Sequence, residues 1–237
     1  MQVEALTNTG LVREDNQDCY IIDEARGLLV VADGMGGHRA GEVASRLAVT
    51  AIKEYLEMAD VSQDPAGKLR EAVQRANALI YRYAHKSKQH LGMGTTVTAV
   101  LVTDNCLTLA HVGDSRAYLV KQDGIELLTQ DHSLVGELVR NGSITEEEAR
   151  CHPHRNILTR ALGTEEQVKV DVMKFPLEKG DLILLCTDGL FNLVSEEEMY
   201  RLIRKCHNLK SAVQEMINLG LQRGGYDNIT VVLARYE

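Results

Sequence analysis

The order of apolar runs along the chain predicts an α+β fold with mainly antiparallel sheets. Three observations predict it. Strand-length apolar runs come in consecutive, hairpin-like groups. The helical patterns stand in two blocks, one between the strand groups and one before the last strand. No linker composition, low-complexity tract or repeat period divides the 237 residues, so residues 1–237 read as one domain.

Residues 2–32 hold strands at Val3 to Leu6, Cys19 to Ile22 and Leu28 to Ala32, the first two joined by a polar link. From Gly41 to Met58, Val43, Leu47, Ile52, Tyr55 and Leu56 keep roughly helical spacing. A second helix opens with Asp64 as N-cap and Pro65 at its first position, and runs to about Lys88. Strands resume at Thr95 to Val102, Leu107 to Val112, Ala117 to Val120 and Ile125 to Leu128. Residues 133–158 differ in character, with short helical stretches and the capping box Thr145 to Glu148, and read as a surface insertion. Strands at Lys169 to Lys174 and Asp181 to Thr187 follow, then helices from Ser195 to about Cys206 and from about Lys210 to Gly224. A strand from Asn228 to Arg235 ends the sequence.

A hydrophobic content of 44% and a charged content of 25% are those of a soluble globular protein. The net charge of -8 argues against a nucleic-acid or anionic-membrane surface, since either needs a basic patch. The five cysteines are odd in number and form no C-x-x-C pair, which disfavours a disulfide framework or a zinc site and fits a reducing compartment. With no signal-peptide pattern at Met1 to Ala5 and no run of bilayer length, the expected location is cytoplasmic.

The chemistry is written in repeated aspartates. Leu28 to Ala32 leads into Asp33-Gly34, and Leu182 to Thr187 leads into Asp188-Gly189. Gly224-Gly225-Tyr226-Asp227-Asn228 feeds the last strand, and Gly113-Asp114 lies between apolar segments. One Asp-Gly pair is also the commonest hairpin turn, and Asp123-Gly124 needs no other explanation. Four aspartates on strand ends can instead converge at one rim of a sheet assembly, where their mutual repulsion calls for cations.

Taken together, the motifs resemble those of type 2C protein phosphatases (the PPM family), bacterial members above all. The resemblance is carried by Gly10, Arg13, Asn16, Gln17 and Asp18, by Val31 to His38 with Gly41 and Glu42, and by Met93 to Thr96. His111 to Arg116, Thr129 with Asp131 to Ser133, Cys186 to Gly189, and Gly224 to Thr230 complete it in the family's order. It implies an αββα sandwich, two antiparallel sheets flanked by helix pairs, with residues 133–158 as a flap beside a metal cleft. It also implies Mn²⁺ or Mg²⁺ at two tight sites and a weaker third. Asp33 would bridge two metals, the Gly34 carbonyl would bind the second, and Asp188 and Asp227 the first. Asp114, with Asp188, would hold the third, Asp18 would act through metal-bound waters, and Arg13 would grip the substrate phosphate.

The function so implied is hydrolysis of phosphoserine and phosphothreonine by a metal-activated water. The substrates would be phosphorylated proteins, in opposition to a eukaryotic-like Ser/Thr kinase, and the enzyme a monomer. Met35 stands where some eukaryotic relatives have a histidine proposed as general acid. His38 is then a candidate for protonating the leaving group, beside a metal-bound water. His111 reads as a buried hydrogen-bonding residue, His132 as a tie between Asp131 and the insertion, and His152 and His154 as surface residues. Two competing readings are a non-catalytic regulatory module of the same fold, which should have lost acidic ligands, and a metal-dependent phosphodiesterase, which should show a basic track.

Overall fold

A computed structural model of the chain describes residues 1–36, 40–86 and 90–237. Two antiparallel sheets lie face to face. In one, the strands run in the order β1 (Gln2–Asn8), β11 (Ile229–Arg235), β10 (Leu182–Cys186), β7 (Arg116–Val120), β8 (Ile125–Leu127). In the other the order is β2 (Asp18–Asp23), β3 (Leu28–Met35), β5 (Val97–Thr103), β6 (Cys106–Val112), β9 (Asp171–Pro176), with β4 (Gly94–Thr95) added to the far end of β3. Helices α1 (Ala40–Met58) and α2 (Pro65–Ala84) cover the second sheet, while α6 (Glu196–Lys205) and α7 (Leu209–Gln222) cover the first. This is the αββα sandwich.

Strand alternation decides which layer each side chain enters. In β3, Leu28, Val30 and Ala32 pack under α1 and α2, whereas Leu29 and Val31 fill the space between the sheets. In β10, Leu182, Leu184 and Cys186 face the helices, whereas Ile183 and Leu185 face the other sheet. Both faces of these strands are covered, so they are written as unbroken apolar runs rather than as alternating ones. Each fully buried Leu or Val contributes about 1.5–3 kcal/mol relative to exposure, and this layered burial is what holds the rim of the sandwich rigid.

Caps fix the helix ends. The Asp64 side chain accepts from Gly67 N at 2.9 Å with Pro65 following, as its position predicts. Ser195 and Glu198 form a capping box on α6, and Arg223 at the end of α7 donates to both Glu198 oxygens, clamping the two helices together. α2 ends at Ala84, and the expected Lys88 terminus lies outside the described residues.

Several boundaries differ from expectation for local reasons. β3 does not stop at Asp33. It pairs with β5 as far as Val31↔Thr98, then changes partner and continues as Gly34↔Thr95 and Met35↔Gly94. Thr96 interrupts the facing strand because it serves Asp33: its N–H donates to the Asp33 carbonyl and its hydroxyl accepts from Asp33 N, each at 2.9 Å. β9 begins at Asp171 rather than Lys169. A short helix not legible in the sequence, α5 (Asp188–Phe191), follows β10 directly.

Residues 133–158 leave the sandwich as two short helices, α3 (Leu134–Arg140) and α4 (Glu146–Arg150). A bridge between Ser133 and Leu158 closes their base, and the Ser133 hydroxyl caps α3 at Gly136 N. The Thr145–Glu148 capping box is present on α4.

Candidate metal centre

The same alternation places the site. Asp33 has the parity of Leu29 and Val31, so it faces the gap between the sheets where their ends open. Asp18 is its direct partner across the β2–β3 ladder. Thr187 and Thr230 have the parity of Ile183 and Val232 and reach the same gap from the other sheet. Their hydroxyls donate to Asp18 Oδ2 at 2.8 and 2.7 Å. Asp18 thus lies buried as a floor, tied to both sheets, and the sequence reading had not singled out either threonine. Their signal was two hydroxyls at the mouth ends of otherwise apolar strands.

Above that floor a cleft of about 430 Å³ is lined by Arg13, Asp33, Gly34, Asp114, Asp188 and Asp227, with Asn156 and Leu158 contributed by the 133–158 segment. The aspartates read from four distant stretches are therefore brought to one place. His38 lies outside the described residues.

Each loop is held by specific bonds. Asn228 accepts from Gln17 N at 2.8 Å and donates to the carbonyls of Thr9 and Asp15, fixing the loop that carries Arg13. Gly34 admits no side chain, since a Cβ there would stand 2.1 Å from the Gly41 carbonyl oxygen. Gly113 N donates to His132 Nδ1 at 3.0 Å and the Gly113 carbonyl accepts from His132 N at 2.8 Å, which sets the turn bearing Asp114. His132 Nε2 faces Asp171 Oδ2 at 3.0 Å. The His132 ring therefore ties the Asp114 turn to β9, rather than tying Asp131 to the insertion as expected. Asp131 instead takes a two-pronged bond from Arg116, at 3.1 and 2.9 Å, which leaves Asp114 unpaired with that arginine. His111 is buried between Thr98 and the Gln130 carbonyl. His152 is only partly exposed, its Nδ1 accepting from His154 N.

Arg13 reaches over the cleft and donates from one nitrogen to Asp227 Oδ2 at 2.8 Å. Asp227 and the carboxylates beside it raise the Arg13 pKa further, so the guanidinium is charged at any working pH. A single bond engages few of its five N–H donors.

The electrostatics of the cluster are those of several buried anions held together, with Arg13 on Asp227 as the cation bonded to them among the described residues. Burial is the largest cause in each case. It pushes Asp18 to about 7, against the two threonine bonds, and Asp188 to about 6, with Asp227 adding repulsion. Burial and the neighbouring carboxylates raise Asp33 and Asp114 well above the usual range.

Whether a hard cation fits is tested by the oxygens. Asp18 Oδ1 and Asp188 Oδ1 are buried and make no hydrogen bond among the described residues. Orphaned buried carboxylate oxygens are costly unless something binds them. The donors are all oxygen, the set that suits Mg²⁺ or Mn²⁺. Among the described residues no three acidic, imidazole or thiol groups close on one point as a ready-made cage. A cation held here would draw much of its coordination from water. The residues fit such ions.

Oxygen ligands for hard cations at the end of a β-sandwich, with an arginine fork reaching over them, are the equipment of a metal-dependent phosphate-ester hydrolase. Comparison with known proteins makes the class specific. Residues 5–223 match the family described as protein phosphatase 2C. The chain is 40% identical to the serine/threonine phosphatase stp of Listeria monocytogenes, over all of this chain and 96% of that one. It is 36% identical to the protein phosphatase PhpP of Streptococcus pneumoniae, over 98% and 96%. The crystal structure of the Mycobacterium tuberculosis serine/threonine phosphatase PstP/Ppp superposes with a TM-score of 0.93 at 38% identity, covering 100% of this chain and 98% of that one. A structure of the PstP catalytic domain in complex with two manganese ions gives 0.90 at 37%, covering 99% and 97%. The chain belongs to the protein phosphatase 2C family.

Proposed function

We propose that the protein is a metal-dependent phosphatase that hydrolyses phosphoserine and phosphothreonine on proteins. The observation that carries the reading is the convergence of Asp33, Asp114, Asp188 and Asp227 on one cleft under Arg13, with carboxylate oxygens left unsatisfied. Asp33, the Gly34 carbonyl, Asp188 and Asp227 would hold two Mn²⁺ or Mg²⁺ ions. Asp114, with Asp188, would hold a weaker third. Bound there, such ions neutralise the carboxylates and lower the pKa of water enough for it to attack phosphorus near neutral pH.

The chain's own residues do the rest. Arg13 presents a planar fork to the phosphate oxygens and orients the ester in line with the attack. Asp18, anchored by Thr187 and Thr230, keeps the floor of the cleft anionic once deprotonated and orders water within it. The β3–β4 pairing and the Thr96 clamp keep Asp33 from moving as charge changes around it. The whole chain acts as one catalytic domain, residues 133–158 forming the flap. It works as a monomer in the cytoplasm on phosphorylated proteins, among them the targets of a Ser/Thr kinase.

The test is direct. With Mn²⁺ the purified chain should release phosphate from a phosphothreonine peptide, and a chelator should abolish that. A phosphodiester hydrolysed in preference to the peptide, or turnover that survives the chelator, would reject the reading.

A further inference from the structure

Large apolar side chains are exposed unevenly over this surface. Among the described residues, three of the seven exposed ones lie on the two loops that bring Arg13 and Asp227 to the cleft: Leu11 at 68%, Val12 at 62% and Tyr226 at 63%. Leu11 and Val12 immediately precede Arg13, and Tyr226 immediately precedes Asp227. The Arg13–Asp227 bond joins their two loops, as does the bond from Leu11 N to the Gly225 carbonyl at 2.7 Å.

The glycine pair under them is shaped to carry them. A Cβ on Gly224 would come within 2.4 Å of the Tyr226 ring, so that ring lies flat against the bare backbone. A Cβ on Gly225 would meet Leu11 Cγ at 3.1 Å. Leu11 and Tyr226 rest on this floor, and all three side chains are open to solvent. Isolated exposed hydrophobics need no explanation, but a cluster beside a functional cleft marks a contact surface.

We propose that Leu11, Val12 and Tyr226 form a docking surface for the polypeptide flanking the phosphorylated residue, and that they favour substrates with a large apolar side chain there. This rests on the phosphatase reading, and it adds a preference that the metal cleft by itself does not create. Its basis is continuity. A phosphate gripped by Arg13 puts the substrate backbone at this rim, and successive Cα atoms are about 3.8 Å apart. A residue one or two positions from the phosphorylated one then falls over the patch. Its three members are uncharged, so what they offer is apolar area.

The holoenzyme with Mn²⁺ is assayed on p-nitrophenyl phosphate and on two phosphothreonine peptides that differ only in Leu or Asp at the flanking positions. The wild type should favour the Leu peptide about tenfold in kcat/KM, the effect of burying one such side chain in part. L11S/V12S and Y226S should each erode that preference through KM, with turnover of the aryl phosphate and thermal stability nearly unchanged. Equal kcat/KM for the two peptides in the wild type overturns the inference. So do equal losses on peptide and aryl phosphate in the variants. A concentration-dependent dimer that L11S/V12S dissolves would assign the patch to a second copy of the chain instead. Absence of metal-dependent turnover on all three substrates would overturn the phosphatase reading, and the docking surface with it.

Discussion

At the scale of single residues, the cleft separates three kinds of work. If Asp33 and Asp227 supply oxygens for cations, as proposed, Asp33→Ala or Asp227→Ala should lower kcat by a factor on the order of 10³ or more at saturating Mn²⁺. Removing a carboxylate also relieves repulsion within the cluster, and the metal-free variants should unfold at the same temperature as the parent or higher. Steady-state kinetics beside thermal unfolding checks both halves. If Arg13 grips phosphate in ground and transition states alike, Arg13→Ala should raise KM about ten- to a hundredfold, the value of a charged hydrogen bond, and lower kcat less. Arg13→Lys should recover part of the loss, because a point charge lacks the fork. Asp114 is different again. Arg116 is committed to Asp131, so no salt bridge among the described residues explains Asp114. Asp114→Ala should keep two tight metals and phosphopeptide affinity while losing much of kcat, which calorimetric metal titration beside kinetics would show.

At the scale of elements, the flap and the sandwich are held by different means. The central sandwich strands are buried on both faces, whereas most flap side chains are exposed and its two helices are short. Such a segment opens locally at lower free energy than the core. Asn156 and Leu158 nevertheless line the metal cleft, and Arg155 beside them is exposed. Arg155→Glu should therefore change kcat/KM for a phosphoprotein severalfold more than for an aryl phosphate. Equal changes on both substrates would mean that the flap affects stability alone. The base of the flap is also where Thr159 N donates to the His132 carbonyl and where His132 holds the Asp114 turn. The flap and the Asp114 turn are thus joined through one histidine.

At the scale of the whole molecule, the sandwich stores repulsion at its rim and releases it to metal. Asp18 and Asp188 titrate at about 7 and about 6 in the fold, against about 3.9 when unfolded. The native state then binds more protons than the unfolded state between those values, so the stability of metal-free protein falls as pH rises through 6 and 7. Chelator-treated protein should melt at a higher temperature at pH 5.5 than at pH 7.5. Added Mn²⁺ should raise the melting temperature more at pH 7.5, where the carboxylates are free to bind it. A metal-free protein more stable at pH 7.5 would contradict this account of the cluster.

The sequence by itself determined a good deal. It set the α+β class, because strand and helix periods survive in any context. It marked the helix caps at Asp64, Thr145 and Ser195, because a cap is a contact between residues three apart. It marked the four aspartate stretches too, because each is a local strand-and-turn pattern. Only the tertiary structure decided what those stretches do to one another. Asp18 meets Thr187 and Thr230 across 169 and 212 residues, and the local pattern shows only two hydroxyls at strand ends, not what they meet. The change of partner along β3, and the interruption at Thr96 that clamps Asp33, depend on a strand more than sixty residues away. The place of His132 under Asp114 rather than beside Asp131 was likewise a matter of which loop packs on which. Local pattern fixes what a residue can offer, and the packing of distant strands fixes what it meets.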